Sequence, residues 1–170
     1  MARRTGLREF QLSVAERIRN AASRAALSSK LGFQVGGENW FVALNQVNEV
    51  IPVPQVVAVP LTHSWFRGVA NVRGNLYSVL DFSAFQGGDA TPGGMERRVI
   101  LVSDRLVAGA GLLVSRMLGL RNPEQFTPAQ RPASSPPWVA GTYTDAGGTR
   151  WLELDLPALV REQRFLEVGA

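Results

Sequence analysis

The chain has 170 residues, 45% hydrophobic and 19% charged, a balance that suits a folded domain able to bury its own core. It contains no cysteine and one histidine, His63, which excludes disulfides, thiolate metal sites, cysteine nucleophiles and multi-histidine metal sites. The formal charge of +4 is unevenly placed: residues 1–30 hold seven basic and two acidic residues (+5), whereas the other 140 hold eleven and twelve (−1). A near-neutral body is a poor electrostatic footprint for nucleic acid. No apolar run is long enough to span a bilayer and no secretory core stands at the N-terminus, so the sequence reads as cytoplasmic, with no direct membrane insertion.

Leu7, Phe10, Val14, Ile18, Ala21 and Ala25 recur at steps of three and four, which predicts a helical arm over residues 1–30 with an apolar stripe. Three readings of this arm compete: a helix docked on its own body, a segment that orders on a partner, and a membrane-surface helix. From Leu31 the period becomes strand-like. Phe33, Val35 and Trp40 to Leu44 form a predicted hairpin around Gly36-Gly37. Val47 to Val59 reads as strands broken by Pro52 and Pro54, ending at a bend or running along an edge. Val69 to Phe82 is a second strand pair around Asn71 to Asn75, and Gln86 to Glu96 is a loop. Val99 to Val102 and Val107 to Val114 make the next hairpin, and the proline-rich stretch from Asn122 to Pro137 reads as an extended connector. Val139 to Leu156 is a last hairpin turning at Asp145 to Gly148, and Asp155-Leu156-Pro157 starts a helix predicted to run to about Leu166.

The two halves repeat. Trp65 precedes Gly68 by the three residues that separate Trp138 from Gly141; Tyr77, Leu80, Asp81, Phe82 and Phe85 then match Trp151, Leu154, Asp155, Leu156 and Leu159 with a one-residue offset. One extra residue in the second turn explains the offset. A weaker match runs upstream, from Phe33 and from Ile100. The repeat units span about 31–86 and 97–166, and predict two small β-barrel-like subdomains sharing a core, with the assignment of strands to barrels left open.

Catalysis finds little support. His63 beside Ser64 has neither an orienting group nor a defined nucleophile. Asp81 and Asp155 could be offered as an acid–base pair, but both stand at a strand-to-helix junction, where aspartate caps free amides. No spacing fits a metal, a cofactor or a phosphate loop. Trp40, Trp65, Trp138 and Trp151 could stack on single-stranded nucleic acid, yet the body lacks the positive surface that such binding needs. Arg73, alone in the apolar stretch from Val69 to Leu80, either lies in solvent or pairs with an acid, and Glu49 is the natural candidate.

Glu49-Val50-Ile51, Val59-Pro60, Gly68-Val69-Ala70-Asn71-Val72-Arg73-Gly74 and Val79-Leu80-Asp81-Phe82 together resemble the CheW-like chemotaxis coupling family. Leu7 to Gln11, Trp40-Phe41, Pro60-Leu61-Thr62 and Trp65-Phe66 are most similar to the branch that serves type IV pili and twitching motility. The resemblance covers about residues 31–166. It implies an all-β fold of two five-stranded, SH3-like barrels with a short C-terminal helix. It also implies a non-catalytic adaptor that needs no cofactor and joins a chemoreceptor's cytoplasmic tip to the regulatory domain of a histidine kinase. It places Glu49, Asn71, Arg73 and Gly74 in the partner-binding motif, and Val47 and Val99 at the receptor-facing groove. The turn at Thr142 to Asp145 has no counterpart of Arg73. A small β-barrel protein that binds nucleic acid or a ligand is the alternative.

Overall fold

The computed structural model describes residues 14–22 and 29–170; the rest of the N-terminal arm lies outside the described residues. Residues 14–22 are helical (α1). The body opens with the expected hairpin, β1 (Lys30–Val35) and β2 (Glu38–Ala43), turning at Gly36-Gly37. Then come β3 (Val47–Pro52), β4 (Val56–Val57), β5 (Phe66–Val72), β6 (Asn75–Asp81) and the one-turn helix α2 (Phe82–Phe85). The second series follows the same plan: β7 (Arg98–Val102), β8 (Ala110–Val114), β9 (Arg116–Arg121), β10 (Phe126–Ala129), β11 (Val139–Asp145), β12 (Arg150–Leu154) and α3 (Leu156–Leu159). A last turn, α4 (Gln163–Leu166), ends the described helices.

The strands form two six-stranded sheets, ordered β4-β5-β6-β8-β7-β3 and β10-β11-β12-β2-β1-β9. Position by position the two orders are the same repeat. Each half lends its first hairpin to the sheet of the other half: β7–β8 joins β3 to β6, and β1–β2 joins β9 to β12. The borrowed hairpins enter by the two parallel contacts, β6 with β8 and β12 with β2, while every other pairing is antiparallel. These ladders align Leu31 with Ile100 and Phe33 with Val102, two residues away from the upstream match read in the sequence.

Pattern explains why the hairpins sit centrally. Every residue of β8 is buried, and only Arg98 of β7 is not. Strands covered on both faces are apolar throughout. Ile100, Val102, Leu112 and Val114 face the main core between the sheets, together with Phe33, Trp40, Val42, Phe82, Phe85, Leu156 and Leu159. Val99, Leu101 and Leu113 face the other way, into a core of their own with Ile51, Ala70 and Val79. The second sheet holds the matching small core, Phe41, Phe126 and Trp151.

Three expectations change. The two SH3-like subdomains sharing a core are as expected, but each sheet has six strands and stays open instead of closing as a five-stranded barrel; β4 is only two residues long. The connector expected over Asn122 to Pro137 contains the strand β10, and β9 fills the stretch just before it. Arg-flanked β9 and Pro128-bearing β10 are edge strands, and an edge tolerates both exposed charge and a missing amide donor. The C-terminal helix is two separate turns, because Glu162 is extended (φ −61°, ψ 130°) and restarts the chain as the residue before α4.

Candidate partner-binding surface

The turn Arg73-Gly74 closes the β5–β6 hairpin in two residues, with φ of 51° and 89°. Both angles are left-handed, which suits the right-handed twist of the strands and costs glycine nothing. Arginine is a costly choice at such a position. Its side chain supplies the reason. Nη1 donates to Glu49 Oε2 at 2.6 Å and Nη2 to Oε1 at 2.7 Å, a two-pronged fork. Asn71 fixes the turn from the other side, its Oδ1 accepting from the Gly74 amide at 2.8 Å.

Glu49 reaches the fork because β3 bulges. The β3–β7 register shifts between Val47 and Glu49, and a bulge of this kind re-aims the side chain that follows. In the sheet, β8 and β7 separate β6 from β3. The ion pair therefore joins strands that share no ladder, and clasps the curled sheet across its open side. Hydrogen bonds from Arg73 first, and its charge as well, hold the Glu49 carboxyl below the ordinary glutamate range, and Glu49 raises Arg73 in turn. The side chains remain 71% (Arg73) and 37% (Glu49) exposed, so the clasp is a surface feature that a partner can touch.

A second close approach lies alongside. At Gly68 the β5–β6 register shifts, φ is 129°, and a Cβ would meet the Val57 carbonyl oxygen at 2.0 Å. Only glycine lets β4 lie so near β5.

The remaining site expectations divide. Val47 is half-buried against the main core, at an edge strand. Val99 is corrected: it is fully buried in the small core of the first sheet and presents no surface to a partner, because β7 is an inner strand. The sequence reading missed the exposed apolar residues Leu76, Val57 and Leu61. Leu76 follows the turn on β6, on the face opposite Tyr77 and Val79, so alternation from the turn could have found it. Leu61 combines 86% exposure with a φ of 59°.

The second sheet is clasped by other means. Arg121 on β9 lies over the Trp151 ring on β12 at 5.1 Å, again across two intervening strands. Asp145 ends the turn by accepting from the Gly147 and Thr149 amides and from the Trp151 indole at 2.9–3.0 Å. These hydrogen bonds, the indole's foremost, hold its carboxyl below the ordinary range. Where the first sheet has Val99 and Val79, the aligned positions of the second hold the ion pair Lys30–Glu153. Tyr143 donates to Glu153 Oε2 at 2.8 Å; burial first, and this bond and charge next, push its phenol up to about 12.

No catalytic arrangement emerges among the described residues. His63 stacks on Trp65 at 5.4 Å. All four tryptophans are buried. Asp81 and Asp155 cap α2 and α3 by accepting from the amides of Ala84 and Ala158. No three acidic or histidine side chains among the described residues could hold a metal ion.

The CheW-like domain model matches residues 30–164. The chain belongs to the CheW-like family. It is 32% identical over 147 residues to the protein PilI of Pseudomonas aeruginosa, covering 83% of this chain and 80% of that one. The scaffolding protein TtCheW of Thermoanaerobacter tengcongensis shares the fold at a TM-score of 0.66 and 19% identity, over 81% of this chain and 94% of that one. A CheW-like domain is a coupling scaffold, and in this one Asn71, Arg73 and Gly74 form the turn that clasps Glu49.

Proposed function

We propose that this CheW-like protein couples the cytoplasmic tip of a chemoreceptor to the regulatory domain of a histidine kinase, in a chemosensory system that controls type IV pili and twitching motility. The observation that carries the reading is the exposed Glu49–Arg73 fork at the mouth of the first sheet. A charge pair that is held rigidly but left in solvent can discriminate partners without contributing much to folding. Beside it, Val47 and the exposed Leu76 offer apolar area along the main core, suited to a helical tip laid between the sheets. The likeness to PilI supports the pilus output. Residues 31–166 form the adaptor domain, residues 1–30 its basic appendage, and the protein works in the cytoplasm without catalysis.

Co-purification tests this reading, with a receptor cytoplasmic fragment and the kinase regulatory domain offered separately and together. Binding to each, and a ternary complex with both, is expected. Binding to neither overturns it, and steeply salt-dependent binding to single-stranded oligonucleotides would favour the nucleic-acid alternative.

A further inference from the structure

Helix α1 has a face that the described body leaves bare. Residues 15–22 are exposed, and Ile18 is 64% exposed. At about 100° per residue, Val14, Ile18, Ala21 and Ala22 share one side. Glu16 stands opposite that side, and Arg17 and Arg19 flank it to left and right. The acid is thus turned away while the two cations border the apolar strip. This is the arrangement of a helix lying in a charged interface, where arginine stems cover apolar surface and their heads reach outward.

Charge narrows the occupant. Residues 1–29, before the first strand, hold six basic and two acidic residues (+4) and the rest of the chain sums to zero, so the body offers no net acidic field to neutralise the arm. A protein groove selects bulky anchors at successive turns. The described strip supplies one exposed anchor, Ile18, beside half-buried Val14 and two alanines. It is too shallow for a groove and sufficient for a headgroup boundary, provided the basic residues add their attraction to anionic lipid. No described helix is long and apolar enough to cross a membrane, which leaves adsorption as the mode.

We propose that α1, bordered by Arg17 and Arg19, binds an anionic phospholipid surface, reversibly and without insertion across it. This is independent of the coupling reading. It gives an adaptor a way to search for its partners along a membrane instead of through the bulk.

The test is co-sedimentation of the full chain with vesicles of phosphatidylcholine alone, and of an equal mixture with phosphatidylglycerol. Binding to the mixed vesicles only, weakening as salt is raised, is expected. Arg17→Glu with Arg19→Glu should lower partitioning at least about tenfold, and Arg17→Lys with Arg19→Lys should retain it. Ile18→Asp should also weaken binding at an unchanged melting temperature. Equal binding to both vesicles, no binding, or binding indifferent to these substitutions overturns the proposal. So does a concentration-dependent dimer that Ile18→Asp abolishes in the absence of vesicle binding, since a second copy would then occupy the face.

Discussion

Asp81 holds Thr91 twice: Oδ2 accepts from the threonine amide at 2.8 Å and Oδ1 from its hydroxyl at 2.7 Å. Both residues are buried. The carboxylate that caps α2 therefore also pins the loop joining the two repeats. Its counterpart Asp155 caps α3 through Ala158 and pins no loop in this way among the described residues.

The two aspartates should accordingly differ under substitution. Asp155→Ala should cost about 1 kcal/mol, the usual loss of a helix cap. Asp81→Ala also strands a buried amide and hydroxyl, and should cost about 2–4 kcal/mol. Urea unfolding of the two variants compares them directly. Limited proteolysis within 86–97 should accelerate in Asp81→Ala alone, and equal effects of the two substitutions would rule out the loop-pinning role.

Arg73→Ala should barely change the unfolding midpoint, because the fork is solvent-accessible, Arg73 mostly and Glu49 by about a third. Binding to the receptor fragment is where the loss is expected, by tenfold or more if the clasp positions the contact. The charge swap Glu49→Arg with Arg73→Glu should recover part of it. A double-mutant cycle on binding separates a paired role, with clear coupling energy, from a direct contact by Arg73, with coupling near zero.

Val99→Ala acts oppositely. Removing two methyl groups from the small core of the first sheet should cost about 2 kcal/mol, and binding by the remaining folded protein should be unchanged. A loss of affinity at full stability would return Val99 to the interface.

Acid and alkali should each weaken the fold at a nameable place. Glu49 and Asp145 are held below the ordinary carboxylate range, so their stabilisation is complete above the unfolded values near 4 and fades as pH falls through the folded values. Asp145→Asn should flatten the acid limb of a stability–pH curve. Tyr143 is raised to about 12, so its contribution is full below the unfolded value near 10 and is lost as pH rises towards 12. Phenolate absorbance should show a transition near 12 that Tyr143→Phe removes.

The arm is expected to be dispensable for folding. A variant lacking residues 1–28 should melt cooperatively near the full-length temperature, because the described helix leaves Ile18 uncovered. Aggregation or a much lower melting point would show that the arm belongs to the core.

Strands with strong apolar patterning were legible in the sequence. Trp40-Phe41-Val42 and Val99 to Val102 are runs that only a doubly covered strand explains, and Gly36-Gly37 and Arg73-Gly74 mark the β1–β2 and β5–β6 turns. The edge strands were not, since β9 and β10 bury little and so leave little periodic signal. The Glu49–Arg73 pairing was readable as a possibility from charge in apolar surroundings. The β3 bulge and the left-handed Arg73 that make it work have no local signature. The groove-facing place of Val99 came from the family resemblance, whereas the apolar run Val99 to Val102 already marks an inner strand; what the run does not show is that the exchanged hairpins put it there.

Those exchanged hairpins also set a timetable. Lys30 meets Glu153 across 123 residues of chain. On the ribosome, β1 and β2 emerge early with Trp40, Phe41 and Val42 and must wait for β9 and β12 to be made. Cutting the gene between the repeats would give two fragments, each holding a hairpin that belongs to the other's sheet. Neither fragment would be a half-protein able to stand alone. Mixed together, they should regain the fold by trading hairpins, each fragment serving as the other's last folding step.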